Sequence, residues 1–256
     1  MLQAHSPLWY YLWLAPYVLQ SILAFLIWRR KLYRQYPVFL IFVIVTAVEQ
    51  FTLYAADVLP SVSPTAWWKV FWVGLLVEAL IKCALIGEIF GAVFGRYPSL
   101  ARLGKRAIAG VGAVLVLAAA AAAAYAPIDN PRYALVSHAH ILQQTVYMIE
   151  CGLLLFIFLF ASYFRLTWPH KVFGIALGLS ISACVHLADW AITSSGALID
   201  KRHLLDFLNM ATYHACVLIW FYYLLIPQKT IVKSLVSVPA HSLEVWNQQL
   251  ERLLHQ

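Results

Sequence analysis

Charge is what this sequence has least of. Only 11% of its 256 residues are Asp, Glu, Lys or Arg, where ordinary soluble domains carry about 25%, so most of the surface is built to face something other than water. Cysteine is sparse too. Cys83, Cys151, Cys184 and Cys216 each fall in a different apolar run, which speaks against disulfide pairing and reads as buried thiols. There is no nucleophile elbow, Walker loop, dinucleotide-binding glycine fingerprint or zinc-protease motif, so nothing marks an enzyme. The same composition excludes disordered, collagenous and disulfide-knotted classes.

What is abundant is apolar and aromatic: 63% hydrophobic and 15% aromatic residues, with a mean hydropathy of +0.77. A helix crossing about 30 Å of hydrocarbon needs about 20 mostly apolar residues. Seven stretches meet that length, from Leu8 to Trp28, Val38 to Ala56, Trp67 to Phe90, Ala107 to Ala126, His138 to Phe164, Val172 to Ile192 and Leu204 to Ile226. Prolines punctuate the gaps, and Pro16 should kink the first span. The fold class expected is therefore all-α, a polytopic membrane protein with a seven-transmembrane helix bundle over residues 1–233 and a short tail over 234–256. The alanine run from Ala118 to Ala124 marks the fourth span as a close-packing surface.

A net charge of +7 would suggest a nucleic-acid partner for a soluble protein, but here the basic residues sit in short loops. Arg29, Arg30, Lys31 and Arg34 follow the first span, and Arg96, Arg102, Lys105 and Arg106 the third. Arg165 with Lys171, and Lys229 with Lys233, follow the fifth and seventh. Opposite segments are poorer in cations and contain Asp57, Asp129 and Asp200. The positive-inside bias puts the N-terminus outside and the C-terminus in the cytoplasm, with the lipid bilayer as the first partner and no nucleic acid.

The informative residues are the ionisable ones inside spans, where a charge costs about 2.5–3.5 kcal/mol on insertion scales. Side chains three or four positions apart share a helix face. That rule gives a Glu78/Lys82 ion pair on the third span, a stripe of His140, Gln143, Gln144, Tyr147 and Glu150 on the fifth, and Ser182, His186, Asp189 and Thr193 on the sixth. Glu49 on the second and His214 on the seventh lie at compatible depth. Glu88 and Asp206 lie near span ends, within reach of water. The expectation is a polar cavity open to the outside, lined by Glu49, Glu78, Lys82, Glu150, His186, Asp189 and His214, with the first and fourth spans peripheral. A small ligand or protons would bind there; the alternative is that these groups pair off and staple the bundle. Four carboxylates against one lysine and two histidines also demand compensation, by a proton, a metal or a cationic ligand.

Neither a Glu-x-x-His nor a His-Glu-x-x-His motif supports a metal, and the last span has no mid-depth lysine for a retinal Schiff base. No cofactor is expected on these signals, although a haem between His186 and His214 stays open as a redox alternative. In the tail, Leu243, Trp246, Leu250 and Leu253 form an amphipathic stripe that could lie on the membrane, pack under the bundle or bind a partner.

Seven spans, an outside N-terminus, short loops and a helical cytoplasmic exit resemble the seven-transmembrane input modules of bacterial membrane sensors, including those preceding histidine kinases. The tail residues Trp246, Asn247, Leu250, Glu251, Arg252, Leu253 and Leu254 are similar to the endings of uncharacterised bacterial integral membrane proteins. The resemblance implies a sensory role in the bacterial cytoplasmic membrane and carries over no site residues. A small proton-coupled transporter using the same carboxylates is the rival expectation.

Overall fold

The computed structural model describes residues 6–59 and 62–95, scattered positions between 102 and 121, and residues 131–163, 166, 168–194 and 202–226. Among these residues the chain has six long helices, one short 3-10 turn (Leu32–Arg34) and no strand. The helices are α1 (Pro7–Arg29), α2 (Pro37–Val58), α3 (Pro64–Val93), α4 (Pro131–Tyr163), α5 (His170–Ser194) and α6 (Arg202–Leu225). All six hold a stretch long and apolar enough to cross a bilayer, and the chain is a helical membrane protein. They correspond to the first, second, third, fifth, sixth and seventh spans expected from the sequence. Described positions of the fourth are helical as well, and Ile108 is buried against α3. The tail helix expected from Ser242 to His255 lies outside the described residues, as do most of the alanines from 118 to 124.

Local chemistry explains the helix starts. Pro7, Pro37, Pro64 and Pro131 are each the first residue of a helix, where a fixed φ is preorganised and the missing N–H costs nothing. Ser6 and Ser63 cap α1 and α3, accepting the backbone N–H of Trp9 and Ala66 at 3.2 Å each. The α1 helix continues unbroken through Pro16. Arg30 donates to the Leu225 carbonyl at 2.8 Å, placing a cation at the C-terminus of α6.

The helices close into a ring, each packing on the next and α6 returning to α1. Consecutive pairs are antiparallel with one exception. Lys82 of α3 meets Glu150 of α4, and twelve residues further along α3 Phe94 meets Phe160, with ring centroids 5.4 Å apart. Both contacts advance in the same direction, so α3 and α4 run parallel. The α1–α6 pair is parallel too, since Trp9 touches Phe207 at one end and Arg30 touches Leu225 at the other. One correction to the sequence reading follows: α1 is a wall of the ring, not a peripheral helix.

The interior divides by depth. Toward the end where α1, α3, α4 and α6 begin, facing side chains are polar. Toward the opposite end the ring is filled by Phe39 and Phe42 of α2, Ile86 of α3, Leu154 of α4 and Trp220 of α6, each no more than 1% exposed. Trp220 stands edge-on to Phe39 and Phe42 at 5.4 and 5.9 Å and donates to the Ile175 carbonyl at 3.3 Å. The exterior carries apolar side chains such as Phe25, Val48 and Leu159, which suit acyl chains.

Glu88 departs from its expected role. Its two carboxylate oxygens accept the backbone N–H groups of Val38 and Phe39, both at 3.1 Å. Those N–H groups belong to the first turn of α2, which has no side-chain cap of its own. Glu88 thus caps a neighbouring helix where the helix dipole favours a negative charge. Replacing it by Ala should cost about 0.5–2 kcal/mol, the range for a lost N-cap, read as a lowered unfolding midpoint in detergent; Glu88→Gln, with one acceptor left, should lose less.

Candidate functional site

The polar half of the ring holds two adjoining chambers. The inner, of about 220 Å³, is walled by Trp13 and Tyr17 of α1, Glu49 of α2, Glu78 and Lys82 of α3, and His186 of α5, among others. The outer, of about 380 Å³, lies above it between Trp9, Gln144, Asp189, Trp190 and Asp206, near the ends of α1, α5 and α6. Gln143, Tyr147, His186, Asn209 and Met210 line both, so the two adjoin along a shared wall.

Lys82 organises the inner chamber. Its ammonium lies 3.0 Å from Glu78 Oε1, one turn earlier on the same helix, and 3.2 Å from Glu150 Oε2 on α4. It also sits 4.5 Å from the centre of the Tyr147 ring, within cation–π range. Lys82 and Glu150 are 6% and 2% exposed, and buried charges persist only when paired. The Glu150 contact is one of charge and distance, since neither of its oxygens receives an aligned hydrogen bond among the described residues. With all three groups ionised, the triad carries one net negative charge.

Tyr147 connects this triad to α5, because His186 stacks on its other side with centroids 4.5 Å apart and planes 8° from parallel. Higher up, Asn209 donates to Asp189 Oδ2 at 2.6 Å, joining α6 to α5. On the α1 side, Gln20 donates to the Tyr213 hydroxyl at 2.6 Å and Trp13 donates to Gln50 Oε1 at 3.0 Å. Glu49 lies against Gly74, where any Cβ on α3 would overlap its carboxylate. Its Oε2 is buried without a hydrogen-bond partner among the described residues.

Of the residues singled out in the sequence, Glu49, Glu78, Lys82 and His186 meet in the inner chamber, Glu150 reaches it through Lys82, and Asp189 lines the outer one. His214 does not line either; its Nδ1 is buried and has no hydrogen-bond partner among the described residues. The α1 residues Trp9, Trp13, Tyr17 and Gln20 were missed, although their spacings of four, four and three mark one helix face. The side chains of His140, Thr193 and His203 lie outside the described residues. Among the described residues no three His, Cys, Asp or Glu side chains gather as metal ligands would. Of the cysteines expected to be buried thiols, Cys83 and Cys216 are buried, Cys151 is half-buried and Cys184 is exposed; Cys151 and Cys184 lie with sulfurs 3.7 Å apart as free thiols. Helix direction, not run membership, decides which cysteines meet.

Searches against family models, curated proteins and solved structures found no match to this chain.

Proposed function

We propose that the chain is a receptor-like membrane protein, with seven spans, an outside N-terminus and a cytoplasmic C-terminus, in a bacterial cytoplasmic membrane. A small polar or cationic ligand, or a proton, enters the outer chamber and binds at Glu49, Glu78, Lys82 and His186, with Glu150 and Asp189 holding the surrounding helices. Binding shifts α5 and α6 relative to the rest of the ring, and residues 234–256 pass the change to a cytoplasmic or membrane partner. Such coupling requires different ligand affinity in the two arrangements of the helices.

One observation carries this reading: the polar space is reached from one end and is floored by packed apolar side chains at the other. A receptor works with access from a single side, whereas an alternating-access carrier would also have to part this packed apolar floor in a second arrangement. The parallel course of α3 and α4 supports seven spans, because the chain between them must cross an odd number of times to restart at the same end. The clustering of Arg29, Arg30, Lys31 and Arg34 after α1 supports the orientation.

Two measurements test the proposal. With the four native cysteines replaced by Ala, Ser6→Cys should react with a membrane-impermeant maleimide on intact cells, and Arg34→Cys only after permeabilisation; the reverse pattern would invert the topology. In proteoliposomes the protein should leave an imposed pH gradient standing. A gradient that collapses in wild type and survives in Glu78→Gln would make the protein a proton-coupled carrier instead.

A further inference from the structure

We infer that the inner chamber is a site for a small organic ammonium ion, an amine that keeps at least one N–H, seated between the Glu49 carboxylate and an aromatic wall. The inference rests on the receptor reading above and gives its ligand a chemical class.

Among the described residues no donor reaches Glu49 Oε2, and the basic side chains of the chamber are engaged elsewhere. Lys82 is committed to Glu78, Glu150 and the face of Tyr147, and His186 is stacked on Tyr147. These are the basic side chains among the lining residues of the two chambers. The indole N–H of Trp13 is spent on Gln50, and beside the chamber Gln20 is spent on Tyr213. Gly74 lets the Glu49 carboxylate lie against the backbone of α3, and one of its oxygens stays buried without a partner. A buried acceptor of this kind is stabilised by a charge-assisted hydrogen bond.

The rest of the wall fits the same guest. Trp13, Tyr17, Phe71 and Tyr213 line the inner chamber with Glu49, and aromatic faces attract cations. An anion would meet Glu49 and Glu78; a neutral molecule would leave Glu49 without a counter-charge. A quaternary ammonium would supply the charge but no hydrogen for Glu49. At about 220 Å³ the inner chamber is smaller than the roughly 300–1,000 Å³ of pockets that bury drug-sized ligands, so it takes the head of the molecule. The rest of the molecule extends toward the outer chamber, whose wall carries Trp9 and Trp190 alongside Gln144, Asp189 and Asp206.

The test uses the full-length protein in lipid nanodiscs, titrated with 2-phenylethylamine, its N,N,N-trimethyl analogue, 2-phenylethanol and phenylacetate, with tryptophan emission and calorimetry as readouts. The amine should bind at least about tenfold tighter than the other three, the scale of one charge-assisted hydrogen bond. Glu49→Gln should erase that preference, the amine then binding no tighter than the alcohol; Asp57→Asn, on an exposed part of α2 outside the chambers, should change nothing. The comparison among ligands on wild type keeps the assignment testable even if Glu49→Gln does not fold. If the alcohol, the acid or the trimethyl analogue matches the amine, or if a folded Glu49→Gln keeps the preference, the ammonium assignment is overturned and the chamber remains a ligand site. If no compound binds, the assignment is likewise overturned, and the pH-gradient measurement then decides the receptor reading by itself.

Discussion

Lys82→Met is expected to lower stability more than any other single change in the chamber. It removes one cation from contact with two carboxylates, of which Glu150 is only 2% exposed. Breaking a buried ion pair by deleting one partner costs about 3–5 kcal/mol, because the other charge is left uncompensated. The cation–π contact with Tyr147 is lost as well. Against a typical folding stability of about 5–15 kcal/mol, the variant should show a sharply lower unfolding midpoint and poor recovery from the membrane. Lys82→Met combined with Glu150→Gln should recover much of the loss, since the uncompensated charge goes with its partner. A Lys82→Met protein as stable as wild type would mean that the triad contributes nothing to holding α3 against α4.

The second large effect is expected at the apolar floor. Trp220 is fully buried, packs on Phe39, Phe42 and Tyr213, and donates to Ile175. Truncation to Ala should cost about 3–5 kcal/mol, the usual range for a large aromatic in a packed interior. The indole ring also rests against Gly178 of α5, where a Cβ would overlap it. Gly178→Val should therefore destabilise by about 1–3 kcal/mol through overpacking, and Trp220→Phe should partly relieve it. Unfolding midpoints of the two single variants and the double variant measure that coupling; strictly additive losses would show that the residues do not touch.

The architecture was legible where the sequence signal is local. Long apolar runs located the spans, and the four-residue spacing of Glu78 and Lys82 gave their pairing. Contacts between helices were harder, because depth can be counted along a helix but rotation about its axis is set by its neighbours. His214 matched the others in depth yet lines neither chamber, while Met210 and Tyr213 of the same helix do. Trp9, Trp13 and Tyr17 carry no charge to set them apart in an apolar span, so the chamber-facing side of α1 gave no signal of charge in the sequence. Glu88 read as a carboxylate able to reach water because nothing local shows that another helix begins beside it.

The parallel course of α3 and α4 bears on how the chain is made. Two parallel neighbours cannot form as a helical hairpin, so Lys82 of α3 meets Glu150 of α4 only after the chain has returned to the end where α3 began. Until α4 emerges, Lys82 has only Glu78 as a counter-charge, one turn away on its own helix. That internal neutralisation lets α3 enter the bilayer without carrying a lone cation. Glu150 then arrives as the late partner that fixes α4 on α3, and the ring closes only when α6 reaches α1.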